Sequence, residues 1–272
     1  MEKKRIDLIL SERGLFDSRE KARAAVMAGE IYVKNKRVDK PGMMIDCDNL
    51  LDSEIEIRGG LKYVSRGGLK LEKAILEFKL DLRNKICADI GASTGGFTDC
   101  MLQNGAKKIY AVDVGYGQLA WKLRNDHRVI CLERTNARYL TREIIPESLN
   151  FASVDVSFIS LKLILPALRP LMEHDSRVVC LIKPQFEAGR EFVGKKGVVR
   201  DRKIHADVIN GFFTHARESD FAVLDLTWSP VRGPEGNIEY LGCLSPGMLS
   251  APEFDITRAA EIVKASHEEL EK

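Results

Sequence analysis

Four side chains in the sequence could together handle the proton of a hydroxyl group: two lysines and two carboxylates, Lys70, Asp155, Lys183 and Glu239. A hydroxyl is a poor nucleophile until its proton is removed, and a lysine can accept that proton only when its amine is neutral. Repulsion between two nearby ammonium groups makes the neutral form easier to reach, and adjacent carboxylates orient the amines. Each residue taken singly is explained as well by a charged surface position, so the chemistry requires all four to lie together.

A glycine-rich loop, residues 89–96, follows an apolar run that predicts a strand and precedes a run that predicts a helix. In such a turn the backbone N–H groups can approach a ligand closely, at the positive end of the helix. The loop lacks the G-x-G-x-x-G spacing of dinucleotide-binding proteins. Asp89, at its start, can instead accept a hydrogen bond from the ammonium of an amino-acid group. S-adenosylmethionine has this group and NAD lacks it, so we predict S-adenosylmethionine as the cofactor.

Two further positions extend the predicted cofactor site. Asp113 ends the next candidate strand, where a carboxylate can accept hydrogen bonds from both hydroxyls of a ribose. Thr135 and Asn136 follow the third candidate strand and offer polar contacts to an adenine. The residues predicted to bind the cofactor are Asp89, Gly91, Ser93, Thr94, Gly95, Gly96, Phe97, Asp113, Thr135 and Asn136.

Beyond residue 68, apolar runs typical of strands alternate with runs typical of helices. The candidate strands are 86–90, 109–114, 129–132, 151–156, 178–182, 221–227 and 239–243. Helical patterns at 69–78, 160–171 and 203–217 predict, with these strands, an α/β class with a mainly parallel sheet covered on both faces. No helix separates the last two strands, which predicts an antiparallel hairpin. Seven strands that end in a hairpin resemble the Rossmann-like fold of S-adenosylmethionine methyltransferases.

The first 58 residues have a different pattern, in which two short helices precede several short strands. The second helix, predicted over 19–28, begins after the capping residue Ser18 and ends at Gly29. Basic side chains outnumber acidic ones over residues 1–40, which fits a partner approached from one side. We predict a small α+β domain over 1–58, a linker over 59–68 between two glycine pairs, and a second domain over 69–272.

The small domain resembles the S4 RNA-binding domain of ribosomal and RNA-modifying proteins. The shared motifs are Arg5-Ile-Asp-Leu, Arg13-Gly14-Leu15, Ser18-Arg19-Glu20-Lys21-Ala22 and Val38-Asp-Lys-Pro41-Gly42. S4 domains often carry Asn-Gly in the hairpin that this chain builds from Lys34-Asn35-Lys36, which adds positive charge. The resemblance implies that basic side chains contact structured RNA, here Arg5, Arg13, Arg19, Arg23, Lys34 and Lys36.

The second domain resembles the FtsJ-type ribose 2′-O-methyltransferases, in which a Lys-Asp-Lys-Glu tetrad carries the chemistry. With the S4 unit, the chain is similar to the TlyA family, historically labelled hemolysin A. The motifs are Tyr63-Val-Ser-Arg-Gly-Gly-Leu-Lys70, Asp113-Val-Gly115-x-Gly-Gln-Leu119, Asp155-Val-Ser-Phe-Ile-Ser160 and Ile182-Lys-Pro-Gln-Phe-Glu187. The resemblance implies methylation of cytidine in ribosomal RNA, on subunits or on the ribosome. It also implies that Lys183 accepts the proton, that Asp155 orients it, and that Lys70 and Glu239 support them.

The amino-acid composition indicates the class of protein and the cellular compartment that we expect. Hydrophobic residues make up 44% and charged residues 30% of the 272, with a net charge of +2, as is ordinary for a soluble globular protein. The six cysteines form no CxxC or Cys/His cluster, so we expect no structural metal and a reducing compartment. Neither a signal peptide nor a membrane-spanning run is evident, so we expect a cytoplasmic protein that does not act at membranes. The five histidines form no catalytic pattern.

Two alternative hypotheses stay open from the sequence. One is an RNA-binding ribosome assembly factor whose methyltransferase fold has lost its activity, although the intact glycine loop and the four reacting residues argue against it. The other is the membrane-lytic activity that the old family label suggests. The sequence contains no extended basic amphipathic helix with an exposed apolar face, which such an activity would need.

Overall fold

The computed structural model describes residues 3–27, 29–38, 40–47, 50–51, 54–57, 62–233, 235–247 and 254–270. The chain divides into two compact units, Met1–Lys62 and Tyr63–Lys272. The glycine pair at the start of the predicted linker, Gly59 and Gly60, lies outside the described residues. The second glycine pair, at 67 and 68, opens a helix of the second unit. Gly68 is required there, because a side-chain carbon at this position would lie 2.2 Å from the ring of Tyr63.

The first unit packs two helices against two small antiparallel sheets. Its elements are β1 (Lys3–Arg5), α1 (Ile6–Glu12), α2 (Arg19–Met27), β2 (Ile31–Val33), β3 (Lys36–Arg37), β4 (Met44–Asp46) and β5 (Ile55–Ile57). β1 pairs with β4, and β2 lies between β3 and β5. The helices bury one apolar face each, and the core they share with the sheet includes Ile6, Leu10, Val26 and Ile31.

The hairpin between β2 and β3 has a two-residue turn at Lys34 and Asn35. Their φ angles are +49° and +63°. Both central residues of a type I′ turn need a positive φ, and this turn matches the twist of the flanking strands. Asparagine tolerates this conformation well, and lysine accepts it at some cost, so the chain makes the same tight hairpin without the usual glycine.

The second unit is built on one seven-stranded sheet with the order β11-β12-β10-β9-β6-β7-β8. The strands are β6 (Ile86–Ile90), β7 (Lys108–Val112), β8 (Val129–Leu132), β9 (Leu149–Val154), β10 (Met172–Ile182), β11 (Phe221–Trp228) and β12 (Tyr240–Pro246). Strands β8, β7, β6, β9 and β10 are parallel neighbours, while β12 runs antiparallel to β10 and to β11. The predicted α/β class and the antiparallel last strand are confirmed.

Helices cover both faces of this sheet. They are α3 (Gly67–Glu77), α4 (Gly96–Gln103), α5 (Trp121–Arg124), α6 (Leu165–Leu168), α7 (Pro184–Glu187), α8 (Arg202–Glu218) and α9 (Ala259–Leu270), with short 3-10 turns between some of them. Successive residues of β10 enter different cores: Val178 and Cys180 pack on one face, and Val179 packs on the other. This period of two is the reason that the central strands read as continuous apolar runs.

One predicted element differs from the structure in form. The single helix expected over 160–171 is instead a 3-10 turn (Leu161–Leu163), the short α6 and a second 3-10 turn (Arg169–Leu171). Pro166 and Pro170 each lack a backbone N–H, so neither can donate the hydrogen bond that would continue a regular helix. The strand expected over 178–182 begins six residues earlier, at Met172, and the other strands and helices predicted for the second unit occur within a few residues of their expected bounds.

All six cysteines are free thiols. The described residues contain no cluster of three or more histidine, cysteine, aspartate or glutamate side chains arranged to hold a metal ion. Across the same ranges, no helix combines the length and the apolar character needed to cross a membrane.

Candidate active site

The glycine-rich loop connects β6 to α4 at the carboxyl edge of the sheet. Gly91 has a φ of +88°, and a side-chain carbon there would lie 2.3 Å from the backbone oxygen of Asp155. Only glycine combines this backbone conformation with so close an approach. Ser93, also at positive φ, donates its N–H to Asp113 Oδ2 at 2.7 Å. The loop is therefore held against the ends of β7 and β9.

Two cavities open on this loop. The first, of about 240 Å³, is lined by residues that include Lys70, Asp89, Phe97 and Asp155. The second, of about 340 Å³, is lined by Asp113 and by other residues that follow β7, β8 and β9. Both cavities share Gly91, Ser93 and Asp155 in their walls, so they form one cleft along the carboxyl ends of the parallel strands. This is where ligands bind in open α/β sheets.

The structure distributes the predicted cofactor residues over this cleft. The first cavity is lined by Asp89, Gly91, Ser93, Thr94, Gly96 and Phe97. The second is lined by Gly91, Ser93, Asp113, Thr135 and Asn136. Gly95 lines neither cavity. It precedes α4 with a φ of +93°, and a side-chain carbon there would meet Leu123 at 2.3 Å, so its lack of a side chain serves the packing of the loop.

Asp89 is a buried carboxylate with three hydrogen-bond donors. Oδ2 accepts bonds from the N–H of Thr98 at 2.8 Å and from its hydroxyl at 2.7 Å, and Oδ1 accepts one from the Ser153 hydroxyl at 3.1 Å. Burial disfavours the charged form and raises the pKa of Asp89 to about 7, although the hydrogen bonds act in the opposite direction. A cation placed in the cavity beside it would favour ionisation. Asp89 is thus suited to an ammonium group.

Asp113 organises the loop that follows β7. Its Oδ1 accepts the N–H of Gly115 at 2.7 Å, and its Oδ2 accepts the N–H of Ser93. Each carboxylate oxygen has a further lone pair, so Asp113 can still accept hydrogen bonds from hydroxyl groups in the second cavity. Asp113 is oriented before any ligand arrives.

The four candidate reacting residues form two ion pairs. Lys70 Nζ lies 2.6 Å from Glu239 Oε2, and Lys183 Nζ lies 2.5 Å from Asp155 Oδ1 and 3.0 Å from the Ser157 hydroxyl. Both lysines are only 8% exposed and Glu239 is 1% exposed. Lys70 and Asp155 line the same cavity, so the two pairs meet at the first part of the cleft.

The sheet explains why these residues converge. Asp155 and Lys183 come directly after β9 and β10, which are parallel neighbours, so both lie at one edge. Glu239 precedes β12, whose first residue Tyr240 pairs with Ile182 in an antiparallel register. The start of β12 therefore lies at the same edge as the end of β10. Lys70, in the first turns of α3, completes the group.

Sequence reasoning missed several residues of the first cavity. Ser65, Arg66, Val231 and Arg232 also line it. Arg66 stands inside the Tyr63–Lys70 motif, which was the available signal, whereas nothing near Arg232 in the sequence indicates its position. The two arginines add positive charge to a cavity that also contains Asp89 and Asp155.

Phe158, inside the Asp155–Ser160 motif, is another residue of the cleft to which the sequence assigned no role. Phe158 is 90% exposed, lines the second cavity and contacts the ring of Phe186 in a tilted arrangement, with 4.9 Å between ring centroids. Its φ is +63°, a conformation that a bulky residue rarely adopts. A strained backbone that holds an aromatic ring in solvent at the rim of a cleft indicates a binding role.

The basic residues predicted to contact RNA fall into two groups in the first unit. Arg5 and Arg19 both donate to the buried carboxylate of Asp7, at 3.0 Å and 3.1 Å, and Arg13 donates to the backbone oxygen of Leu50 at 2.9 Å. The bonds to Asp7, with Arg5 the largest contributor, lower the pKa of its carboxyl. Three of the six predicted arginines and lysines are therefore tied into the fold.

The other three point outward. Arg23, Lys34 and Lys36 are exposed. Lys34 Nζ lies 3.6 Å from Glu54 Oε2, while neither Arg23 nor Lys36 has an ion pair within the part of the chain that the structure describes. Arg23 and Lys36 are thus the cations most available to an external phosphate.

Comparison with known proteins agrees with this architecture. The model of the FtsJ-like methyltransferase family matches residues 63–245, and the S4 domain model matches residues 4–48. A protein of Bacillus subtilis named as the rRNA methyltransferase YqxC is 52% identical over 99% of this chain and 96% of its own length. The Mycobacterium tuberculosis protein named 16S/23S rRNA (cytidine-2′-O)-methyltransferase TlyA is 42% identical over 87% of each chain. A solved structure of a hemolysin from Streptococcus thermophilus is 48% identical, covers 100% of this chain and 98% of its own, and has a TM-score of 0.76.

The tight approach at Gly91 generates a prediction. Gly91→Ala should displace the loop from the end of β9 and weaken S-adenosylmethionine binding by at least about tenfold, since the added carbon meets backbone rather than a movable side chain. Isothermal titration calorimetry measures this directly. Gly117→Ala is the matched control, because Gly117 has a φ of +71° but no atom within 4 Å of the added carbon. Equal affinities of the two variants would contradict the prediction.

The raised pKa of Asp89 generates a second prediction. Affinity for S-adenosylmethionine should fall as the pH drops below about 7, by up to about tenfold per pH unit, because the neutral acid cannot pair with an ammonium. The affinity should level off above that pH, where the carboxylate is already ionised. Calorimetric titrations from about pH 5.5 to about pH 8.5 test this. The Asp89→Asn variant should bind S-adenosylmethionine weakly, and its affinity should not change with pH below about 7. If the affinity of this variant falls with pH as steeply as that of the unaltered chain, another group is responsible for the pH dependence.

Proposed function

Because the chain belongs to the TlyA family, in which an S4 domain precedes an FtsJ-like methyltransferase domain, we propose that it methylates a ribose 2′-hydroxyl of ribosomal RNA. The cofactor is S-adenosylmethionine, and the target nucleotide is a cytidine. The observation that carries the proposal is the pair of buried lysine–carboxylate contacts, Lys70–Glu239 and Lys183–Asp155, at the wall of a cleft formed by a glycine-rich loop.

The residues of the cleft fit this cofactor. Asp89 would hold the ammonium of the amino-acid group with its buried carboxylate, Gly91 would leave room for close approach, and Asp113 would accept hydrogen bonds from the ribose hydroxyls. Thr135 and Asn136 lie farther along the cleft, where polar contacts to adenine are needed. When bound, S-adenosylmethionine supplies an electrophilic methyl group.

Lys183 is the proposed proton acceptor. Its Nζ is held between the Asp155 carboxylate and the Ser157 hydroxyl, so its position is set before the substrate arrives. In its neutral form this amine would accept the proton of the 2′-hydroxyl and so make the oxygen a better nucleophile, and the Asp155 carboxylate would balance the positive charge that results. Proton transfer to a positioned base is worth about 10²- to 10⁴-fold in rate.

Lys70 and Glu239 support this arrangement. The pair is almost fully buried, and Glu239 Oε1 has no hydrogen-bond partner among the described residues. Removal of either partner would leave an uncompensated buried charge, which costs about 3–5 kcal/mol. Lys70 lines the cavity, so its ammonium can also contact the substrate oxygen or its phosphate.

The substrate assignment draws on both units. The S4 domain supports an RNA partner, and the Mycobacterium tuberculosis relative is named a methyltransferase of 16S and 23S rRNA. Arg66 and Arg232 fit the phosphates of the target nucleotide, and the exposed ring of Phe158 fits a nucleobase turned out of its stack. We infer ribosomal subunits or the ribosome as the partner, which places the protein in the cytoplasm.

The role of Lys183 has a direct test. Lys183→Ala should lower methyl incorporation into ribosomal RNA by at least about 100-fold, because the hydroxyl loses its proton acceptor. Incorporation of a labelled methyl group into purified ribosomal subunits measures the effect. S-adenosylmethionine affinity, measured by calorimetry, should stay within about threefold of the unaltered chain, because Lys183 does not itself line either cavity of the cleft.

Lys162→Ala is the matched control, because Lys162 is exposed and pairs only loosely with Glu218 at 3.8 Å. It should leave methyl transfer unchanged. Full activity of Lys183→Ala would remove this lysine from the mechanism, and a joint loss of cofactor binding would indicate a structural role instead.

The S4 unit generates another prediction. Arg23→Ala should weaken RNA binding and lower the slope of log affinity against log salt by about 0.7–0.9, because one phosphate is no longer neutralised. Fluorescence anisotropy at several salt concentrations gives the slope. Lys21→Ala is the control on the same helix, because Lys21 is exposed but pairs with Asp17 at 2.7 Å. A slope that matches that of the unaltered chain would exclude phosphate contact by Arg23.

A further inference from the structure

Two loops beyond the carboxyl ends of β7 and β8 carry exposed aromatic rings. Tyr116, in the loop after β7, is 69% exposed, and Tyr139, in the 3-10 turn Ala137–Tyr139 after β8, is 66% exposed. Large aromatic side chains seldom face solvent without a partner, because burying such a ring is strongly favourable. These two tyrosines therefore mark a surface built for contact.

Each tyrosine is accompanied by an arginine. The guanidinium of Arg134 lies 4.3 Å from the ring centroid of Tyr116, and that of Arg138 lies 5.3 Å from the ring centroid of Tyr139. Over the ranges that the structure describes, neither arginine is paired with a carboxylate. The Arg138 guanidinium donates to the Asn136 side chain, at 3.3 Å. We name these four residues, Tyr116, Arg134, Arg138 and Tyr139, the tyrosine–arginine surface.

The backbone holds this surface in place. Arg134 has a φ of +53°, which is uncommon for a side chain of this size. Its N–H donates to the Gly115 oxygen at 3.0 Å, directly beside Tyr116. Gly117 N–H donates to Glu133 Oε1 at 2.8 Å, so each loop is bonded to the other. A strained conformation maintained in this way indicates that the position of the arginine matters.

The surface is continuous with the cofactor cleft. Asp113, Thr135 and Asn136, which line the second cavity, stand next to the surface in the same two loops. The Thr135 N–H donates to the Asp113 backbone oxygen at 2.9 Å and closes the two loops on each other. A chain bound on the tyrosines would lie beside the second cavity, whose lining also includes Asp155 and Phe158.

We propose that the tyrosine–arginine surface binds the unpaired nucleotides that flank the methylated ribose. Bases of single-stranded RNA stack on exposed aromatic rings, and arginines without carboxylate partners contact the phosphates between them. In a double helix the bases are stacked on one another, so their faces are not available to stack on the tyrosine rings. The proposal rests on the ribosomal RNA function inferred above and adds that the target lies in an unpaired segment.

Three double variants of the full chain separate stacking from charge. Tyr116→Ala with Tyr139→Ala removes both rings, and Tyr116→Phe with Tyr139→Phe keeps them. Arg134→Ala with Arg138→Ala removes both charges. Leu76→Ala and Lys264→Ala are controls, because Leu76 is an exposed apolar residue and Lys264 an exposed basic residue, and neither lines the cleft.

The probe is a fluorescein-labelled single-stranded RNA of mixed sequence, about 12 nucleotides long, with the matching duplex for comparison. Anisotropy should show that the double alanine variant of the tyrosines binds the single strand about fivefold or more weakly, with an unchanged salt slope. The phenylalanine variant should bind normally. The arginine variant should reduce the slope by about 0.7 for each phosphate that it no longer neutralises. Calorimetry with S-adenosylmethionine should show that all variants keep the cofactor site.

Several results would overturn the proposal. Single-strand affinity and slope that match the unaltered chain in both alanine variants would exclude RNA from this surface and leave it to a protein partner. An equal loss on the duplex would exclude the assignment to unpaired nucleotides. The proposed function is tested separately, because it fails if the unaltered chain transfers no methyl group to ribosomal RNA. If the unaltered chain transfers the methyl group and the variants bind single-stranded RNA normally, only the role of the tyrosine–arginine surface is rejected.

Discussion

The site depends on two buried ion pairs that the sheet brings to one edge. Moving a charged amine out of water is costly, and a lysine is rarely buried without a partner that offsets the loss of hydration. Here Glu239 and Asp155 provide that partner for Lys70 and Lys183. The same contacts place Lys70 and Asp155 at the wall of the cofactor cleft, with Glu239 and Lys183 held directly behind them as their partners. The same pairing of these four residues therefore serves both the stability of the fold and the proposed chemistry.

The order of the strands makes this convergence possible. Parallel strands β9 and β10 direct the residues that follow them to one edge, while β12, inserted antiparallel between β10 and β11, brings the residue before it to the same edge. If β12 ran parallel to β10, Glu239 would lie at the amino ends of the neighbouring strands, away from Lys183 and Asp155. The antiparallel strand is thus part of the chemistry as well as of the fold.

Some cationic side chains form ion pairs within the fold, whereas others are available to contact a partner. In the first unit Arg5 and Arg19 pair with the buried Asp7 and shape the domain, while Arg23 stays open to a partner. The second unit follows the same division, because Arg124 pairs with Glu133 whereas Arg134 lies on an exposed tyrosine ring. A net charge of +2 therefore says little about RNA binding, and the location of the unpaired cations says more.

The sequence by itself determined the α/β class and most strands of the second unit, because apolar periodicity and glycine turns are local signals. The S4 unit was identified by the resemblance of its motifs to that family. The sequence also indicated which lysines and carboxylates could react. The family resemblance grouped Lys70 with Glu239, but no local pattern could show that the two are in contact, since they are 169 positions apart and only the strand order joins them. The sequence assigned no role to Arg232 or Phe158, whose positions beside the cleft depend on neighbours distant in the chain. The tertiary structure decided these contacts, because burial and strand order are properties of the packed chain and not of any single segment.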